Sequence, residues 1–101
     1  MAEVYTLVVQ VGRKAGDGLP EGATGAALLC YAAGVDEEEA VREAVAVLKA
    51  AEMAPLDVTG YGTLAEREAA GAEAAAEERA LIERAGAENA VVVAEVTAFF
   101  D

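Results

Sequence analysis

The chain has 101 residues, 26 of them alanine, with 19 acids against seven bases and a formal charge of -12 at pH 7. It contains no histidine, no serine, no tryptophan and one cysteine. Imidazole bases, Ser-His and Cys-His pairs, histidine-bearing zinc or iron sites and CxxC redox pairs are thereby excluded within one chain.

The length suits a single α+β domain over residues 1–101. The 55% hydrophobic fraction argues against disorder. Much of it is alanine, which buries little area, so a partner subunit would enlarge a modest core.

Val4 to Val11, VYTLVVQV, is dense in β-branched and aromatic residues and predicts a first strand. Residues 12–25, GRKAGDGLPEGATG, carry five glycines and Pro20 and predict a long glycine-rich loop. The apolar run AALLCYAAGV, 26–35, predicts a second strand. Asp36, with Glu39 three residues on, then has the spacing of a helix cap. The helix over about 37–52 places Val41, Ala44, Val45, Leu48 and Ala51 on one stripe.

Pro55 stops that helix and opens LDVTGYG as a third strand. Thr63 and Glu66 repeat the capping-box spacing before a second helix, which Gly71 breaks or kinks. A third helical piece over 73–85 turns Leu81, Ile82 and Ala85 inward, with Gly86 in the terminating position. NAVVVAEVTAFF, 89–100, is the last strand.

The order β-β-α-β-α-α-β predicts a two-layer sandwich, a four-stranded mixed sheet with its helices on one face. A right-handed crossover through the first helix is expected if strands two and three run parallel. The nearest common architecture it resembles is the ferredoxin-like (alpha-beta plait) type, although that fold has the order β-α-β-β-α-β. Both faces of the first strand are apolar. Strict alternation also puts Val92, Ala94, Val96, Ala98 and Phe100 on one face of the last strand, and Val91, Val93 and Phe99 with Glu95 and Thr97 on the other. A second copy packed sheet to sheet would cover the spare face, so a homodimer through the sheet face is expected. The alternative is helices on both faces of one chain.

Strong acidity disfavours nucleic acid and anionic membranes as partners. It fits a halophilic source, a GC-rich genome or simply a solvated helical surface. Cys30 has no partner for an intrachain disulfide, the chain does not open on a secretory pattern, and no apolar run approaches the 20 or so residues of a membrane span. A cytoplasmic protein is expected.

Candidate chemistry is thin. Gly60-Tyr61-Gly62-Thr63, between a strand and a capped helix, lets a ligand approach the backbone and offers amides to an anion, but it lacks a full GxGxxG or a Walker A lysine. As a plain turn, it needs only Thr63 as the cap. Arg13 and Lys14 are the only adjacent basic pair, suited to an acidic ligand or to mere solvation in a loop. Tyr31 alternates to the face opposite Cys30, bringing a hydroxyl to a pocket or an interface, whereas Cys30 reads as a small buried hydrophobe.

Asp36 to Glu39 suit a helix start, and Glu73 with Glu77 or Glu66 matches no metal-loop spacing, so no metal and no cofactor are expected. The terminal Phe99-Phe100-Asp101 is expected to bury an aromatic at the sheet end or a subunit interface. These features favour a small self-associating, non-catalytic binding or interaction module, with an unidentified small ligand left open. The alternative is an isomerase or lyase working through tyrosine, arginine and carboxylates near Tyr31, Tyr61 and the glycine-rich loop.

Overall fold

The computed structural model describes residues 3–71 and 73–100. Its elements are β1 (Glu3–Val11), β2 (Gly25–Gly34), α1 (Glu37–Ala50), β3 (Pro55–Thr63), α2 (Leu64–Ala69), α3 (Ala76–Glu88) and β4 (Val91–Phe99). They build an α+β fold around one four-stranded sheet of order β3-β1-β2-β4.

Every pairing in the sheet is antiparallel, so the expected mixed sheet is corrected. β2 and β3 are both antiparallel to β1 and therefore run parallel to each other with β1 between them. The β2-α1-β3 connection thus steps over one strand. The ferredoxin-like resemblance does not extend to this strand order.

Helices on one face are also corrected. Leu7, Val9, Leu28 and Cys30 point to the first face, where α1 sets Ala40, Ala44 and Leu48 on them. Tyr31 points the opposite way and packs with Ile82 and Ala85 of α3, alongside Val4, Leu29, Leu64 and Val92. β1 and β2, the central pair, are apolar on both faces because a helical layer lies over each.

Small residues set the spacing. Ala40 and Ala44 are fully buried, which lets α1 lie close to β2. At Gly34 a Cβ would stand 2.7 Å from the Ala40 amide nitrogen and 2.9 Å from the Asp36 carbonyl, so the end of β2 meets the first turn of α1 backbone to backbone. Gly86 does not end its helix. α3 continues to Glu88 and closes on Asn89 at φ 50°, while a Cβ at Gly86 would sit 3.3 Å from Val4 Cγ2. That glycine lets α3 approach β1.

The caps form at the predicted positions. Asp36 accepts from the Glu39 amide at 2.8 Å, and Thr63 and Glu66 complete a capping box. α1 ends at Ala50, earlier than expected, with Glu52 left-handed at φ 64°. Ala51, placed on the inward stripe, is exposed.

A bulge decides the faces of β4. Ala32, Cys30, Leu28 and Ala26 pair with Val91, Val93, Val96 and Ala98, whereas Leu29 pairs with Glu95. The slip comes at Ala94 and Glu95, which follow one another opposite Leu29. Val91, Val93, Val96 and Ala98 therefore share the first face, a set that strict alternation divides. Phe99 is half-buried and Phe100 exposed, while Asp101 lies outside the described residues.

Gly34→Ala forces a side chain into backbone, and we expect a loss of about 1–3 kcal/mol. Gly12→Ala, whose added Cβ would meet only the flexible Leu56 side chain at 3.3 Å, should cost less. Urea denaturation midpoints of the two variants check this ordering.

Candidate functional site

The polar groups nearest to a site gather on the second face. Tyr31 is 2% exposed, and its hydroxyl hydrogen-bonds to Glu78 of α3. Arg67 of α2 donates to Glu78 and, at 3.1 Å, to Thr6 Oγ1 on β1. Thr6 is itself the register partner of Tyr31. A second pair, Arg79 with Glu68, ties α3 to α2 again. Two Arg–Glu pairs thus staple the short helix to the long one, and one of them reaches the sheet.

This environment fixes the protonation states. Burial, and then the Glu78 charge, push the Tyr31 phenol up to about 12. The Arg67 hydrogen bond holds Glu78 below the usual carboxylate range, and Glu78 in turn raises Arg67. Near neutrality the phenol keeps its proton while the carboxylate and guanidinium stay charged, so this cluster neither gives up nor takes a proton easily.

The other candidates lie elsewhere. Arg13 organises its own loop, donating from Nε to Asp17 Oδ2 at 3.0 Å and from Nη1 to the carbonyls of Pro20 and Ala23. Asp17, 5% exposed, also accepts from the amides of Lys14 at 2.9 Å and Leu19 at 3.0 Å. Those amides, with Arg13, keep its carboxyl below the ordinary range. Lys14 pairs with the exposed Glu52 at 3.3 Å.

Register places the Tyr61-Gly62 step in a bulge opposite Thr6, since Tyr5 meets Thr63 and Leu7 meets Gly60. Tyr61 is 55% exposed there. Around it the anion reading meets carboxylates. A Cβ on Gly60 would fall 2.2 Å from Glu37 Oε1, and Glu66 accepts from the Thr63 amide at 3.2 Å. Gly62, at φ 80°, supplies the left-handed residue that the bulge needs. Thus Tyr31, Thr6 and the Tyr61-Gly62 bulge share one row across the sheet, whereas Arg13 and Lys14 belong to the loop.

Among the described residues, two hollows on the surface are not lined by the candidate tyrosines. One, about 370 Å³, lies between α1 and β4, with Glu39, Glu43 and Val47 facing Ala33 and Val91. The other, about 230 Å³, is a shallow depression on the second face floored by Val8, Ala27, Leu29, Glu95 and Thr97. Among the described residues no group of three or more Asp, Glu or Cys side chains is placed to hold a metal ion. Cys30 is fully buried, with burial pushing its thiol up to about 11.

Sequence reasoning did not reach Thr6, Asp17, Arg67 or Glu78. Arg67 and Glu78 are eleven residues apart on different helices, and only the folded α2–α3 layer brings them together. The one available signal was a lone arginine within an acidic helix.

The family model for a domain of unknown function, DUF8846, matches residues 4–100. The chain belongs to that family. No curated protein matches the chain, and no solved structure does. No helix among the described residues of this DUF8846 domain is long and apolar enough to cross a membrane.

Tyr31→Phe should cost about 1.5 kcal/mol near pH 7, the scale of one hydrogen bond to a charged acceptor. A raised phenol contributes stability that is present below its unfolded pKa near 10 and is lost as pH rises toward about 12. The variant should lose that part of the alkaline decline in thermal scans between pH 9 and pH 12. On the acid side, lowered Asp17 and Glu78 contribute stability present above the ordinary carboxylate range of roughly 4 and lost as pH falls below it. Asp17→Asn with Glu78→Gln should flatten the acid limb, and an unchanged limb in the double variant would refute these two assignments.

Proposed function

We propose that this domain is a non-catalytic interaction module that works as a homodimer. The observation that carries the proposal is the contrast between its polar and apolar groups. Tyr31, Glu78, Arg67 and Thr6 satisfy one another, as do Arg13 and Asp17, whereas Val93 and Val96 on the first face of β4, and Val47 of α1 across the hollow from Val91, are 40–49% exposed. Chemistry needs groups held ready for a substrate, and these are held for the fold.

Helices over both faces of β1 and β2 remove the need for a second sheet across the whole of either face. Apolar side chains are left open on both edge strands, Leu56 and Tyr61 on β3 and Val93 and Val96 on β4, and on β4 they stand beside a shallow depression. The first face of β4 carries Val93 and Val96, and the depression on its second face includes Thr97 and Glu95. Self-association there would bury valines that the monomer leaves in water, at roughly 25 cal/mol per Å². The single buried thiol fits a cytoplasmic setting, where disulfides are rare.

The convergence of Tyr31 with Glu78 is what favours the second reading, an enzyme of isomerase or lyase type. A phenol raised to about 12 beside a lowered carboxylate makes a weak acid-base pair at neutral pH, and neither hollow opens onto it.

Light scattering coupled to size exclusion should give the mass of two chains. With a charge of -12 on each copy, association should strengthen as sodium chloride rises from 0.05 to 0.5 M, because screening removes repulsion between copies. A mass of one chain at every salt and protein concentration would overturn the homodimer.

A further inference from the structure

Both ends of the sheet order are edge strands, and they are guarded very differently. β3 begins at Pro55, carries Asp57, Gly60 and Gly62, and is broken by two irregularities against β1. These are the devices by which edge strands avoid pairing with another chain. β4 runs for nine residues, VVVAEVTAF, with no proline, glycine or lysine, one charge and one bulge. In a chain carrying -12, this is an almost uncharged strand with a free row of backbone groups.

Resting on the self-association reading above, we propose that the partner is a second copy of this chain, joined through antiparallel β4–β4 pairing with its two-fold axis at Thr97.

Three observations set this register. The carbonyls of Ala90 and Phe99 accept from Ala33 and Thr24 on the β2 side. With the Ala94-Glu95 bulge between them, the alternation turns the amides and carbonyls of Val96 and Ala98 away from β2. An axis at Thr97 pairs Val96 with the partner's Ala98, and Ala98 with the partner's Val96, so these outward groups bond across the axis.

The bulge comes second. Regular pairing needs unbroken alternation, and on β4 that holds from Glu95 to Phe99, with Thr97 at its centre. Charge is the third. An axis at Glu95 would set two carboxylates opposite each other, which is destabilising, whereas an axis at Thr97 sets Glu95 opposite the partner's Phe99. The acidic wall formed by Glu39 and Glu43 of α1 flanks Val91, six residues from the axis, so the two copies' walls point away from each other. A basic foreign strand would be drawn to that acidic surface. A second copy instead needs the neutral stretch, and the neutral stretch is where the open amides are.

Pairing of this kind joins the two four-stranded sheets into one continuous sheet, with α1 of both copies on the same side. Val96 of each copy loses its exposure against the partner's Ala98.

Thr97→Cys tests the register. Opposed residues at a non-hydrogen-bonded antiparallel position have Cα atoms about 4.5 Å apart, within the range a disulfide spans. Oxidation with diamide should convert most of the Thr97→Cys protein to a covalent dimer on a non-reducing gel. Thr59→Cys, exposed on β3, should remain monomeric under the same treatment, and wild type reports on the buried Cys30. Val96→Pro removes an outward amide while sparing the ladder to β2, so it should give a one-chain mass with an unchanged circular dichroism spectrum.

A wild-type dimer that neither cross-links at position 97 nor dissociates in Val96→Pro would overturn the β4 pairing and leave the self-association reading standing. A monomeric wild type would overturn both. If Val96→Pro fails to fold, the two cysteine variants decide, and cross-linking at 59 without 97 counts against the proposal.

Discussion

The constraint on which the rest of this fold depends is the placement of β1 and β2 as the two inner strands of an open sheet. Paired from Glu3–Gly34 to Val11–Ala26, they hold Leu7, Val9, Leu28 and Cys30 on one face and Tyr31 with Leu29 on the other. An inner pair that is apolar on both sides must be covered twice. The chain does so with its two crossovers. The first carries α1 from β2 over β1 to β3, and the second carries α2 and α3 from β3 across the opposite face to β4. The strand order is thus a consequence of covering a central hairpin from both sides with only three helices.

The two covers are fastened by different physics. α1 is a fourteen-residue helix whose alanines let it sit close, so its hold is apolar contact over the long axis of the sheet. α2 has six residues and no buried side chain, too little to dock through burial alone. Arg67 and Arg79 compensate by pairing with Glu78 and Glu68, and Arg67 anchors the layer to Thr6. Among the described residues, six of the seven basic residues, Arg13, Lys14, Arg42, Arg67, Arg79 and Arg84, pair with carboxylates of the same chain. Few cations remain to bind an external anion.

What was legible in the sequence is what short-range chemistry controls. Asp36 capping Glu39, and Thr63 with Glu66, act across three residues and need no tertiary context. The β-branched runs of β1 and β4 likewise declare themselves as strands. A glycine near a helix end usually terminates it, whereas Gly86 lies inside α3, where the lack of a side chain lets Val4 Cγ2 come within 3.3 Å of where a Cβ would stand. The faces of β4 were beyond reach because one extra residue at Ala94 and Glu95 reverses the alternation, and a bulge in an alanine- and valine-rich strand leaves no compositional mark. Of the candidate site, Tyr31 was visible as an out-of-phase tyrosine. Its partners Arg67 and Glu78 depend on how two helices pack.

The bulge that hid the faces of β4 also shapes its edge. Without the extra residue, Val96 and Ala98 would fall on the second face together with Ala94, and the depression beside Val8 and Ala27 would be filled with methyl groups. With it, Glu95 and Thr97 turn to that face and the valines collect on the side of α1. A bulge shortens the stretch over which an edge can pair, and edge strands commonly use one for protection. On β4 it leaves a regular run from Glu95 to Phe99, too short to recruit long foreign strands but centred on a threonine that can face its own copy. In the proposed β4–β4 pairing, that one inserted residue would limit promiscuous pairing and select the register at the same time.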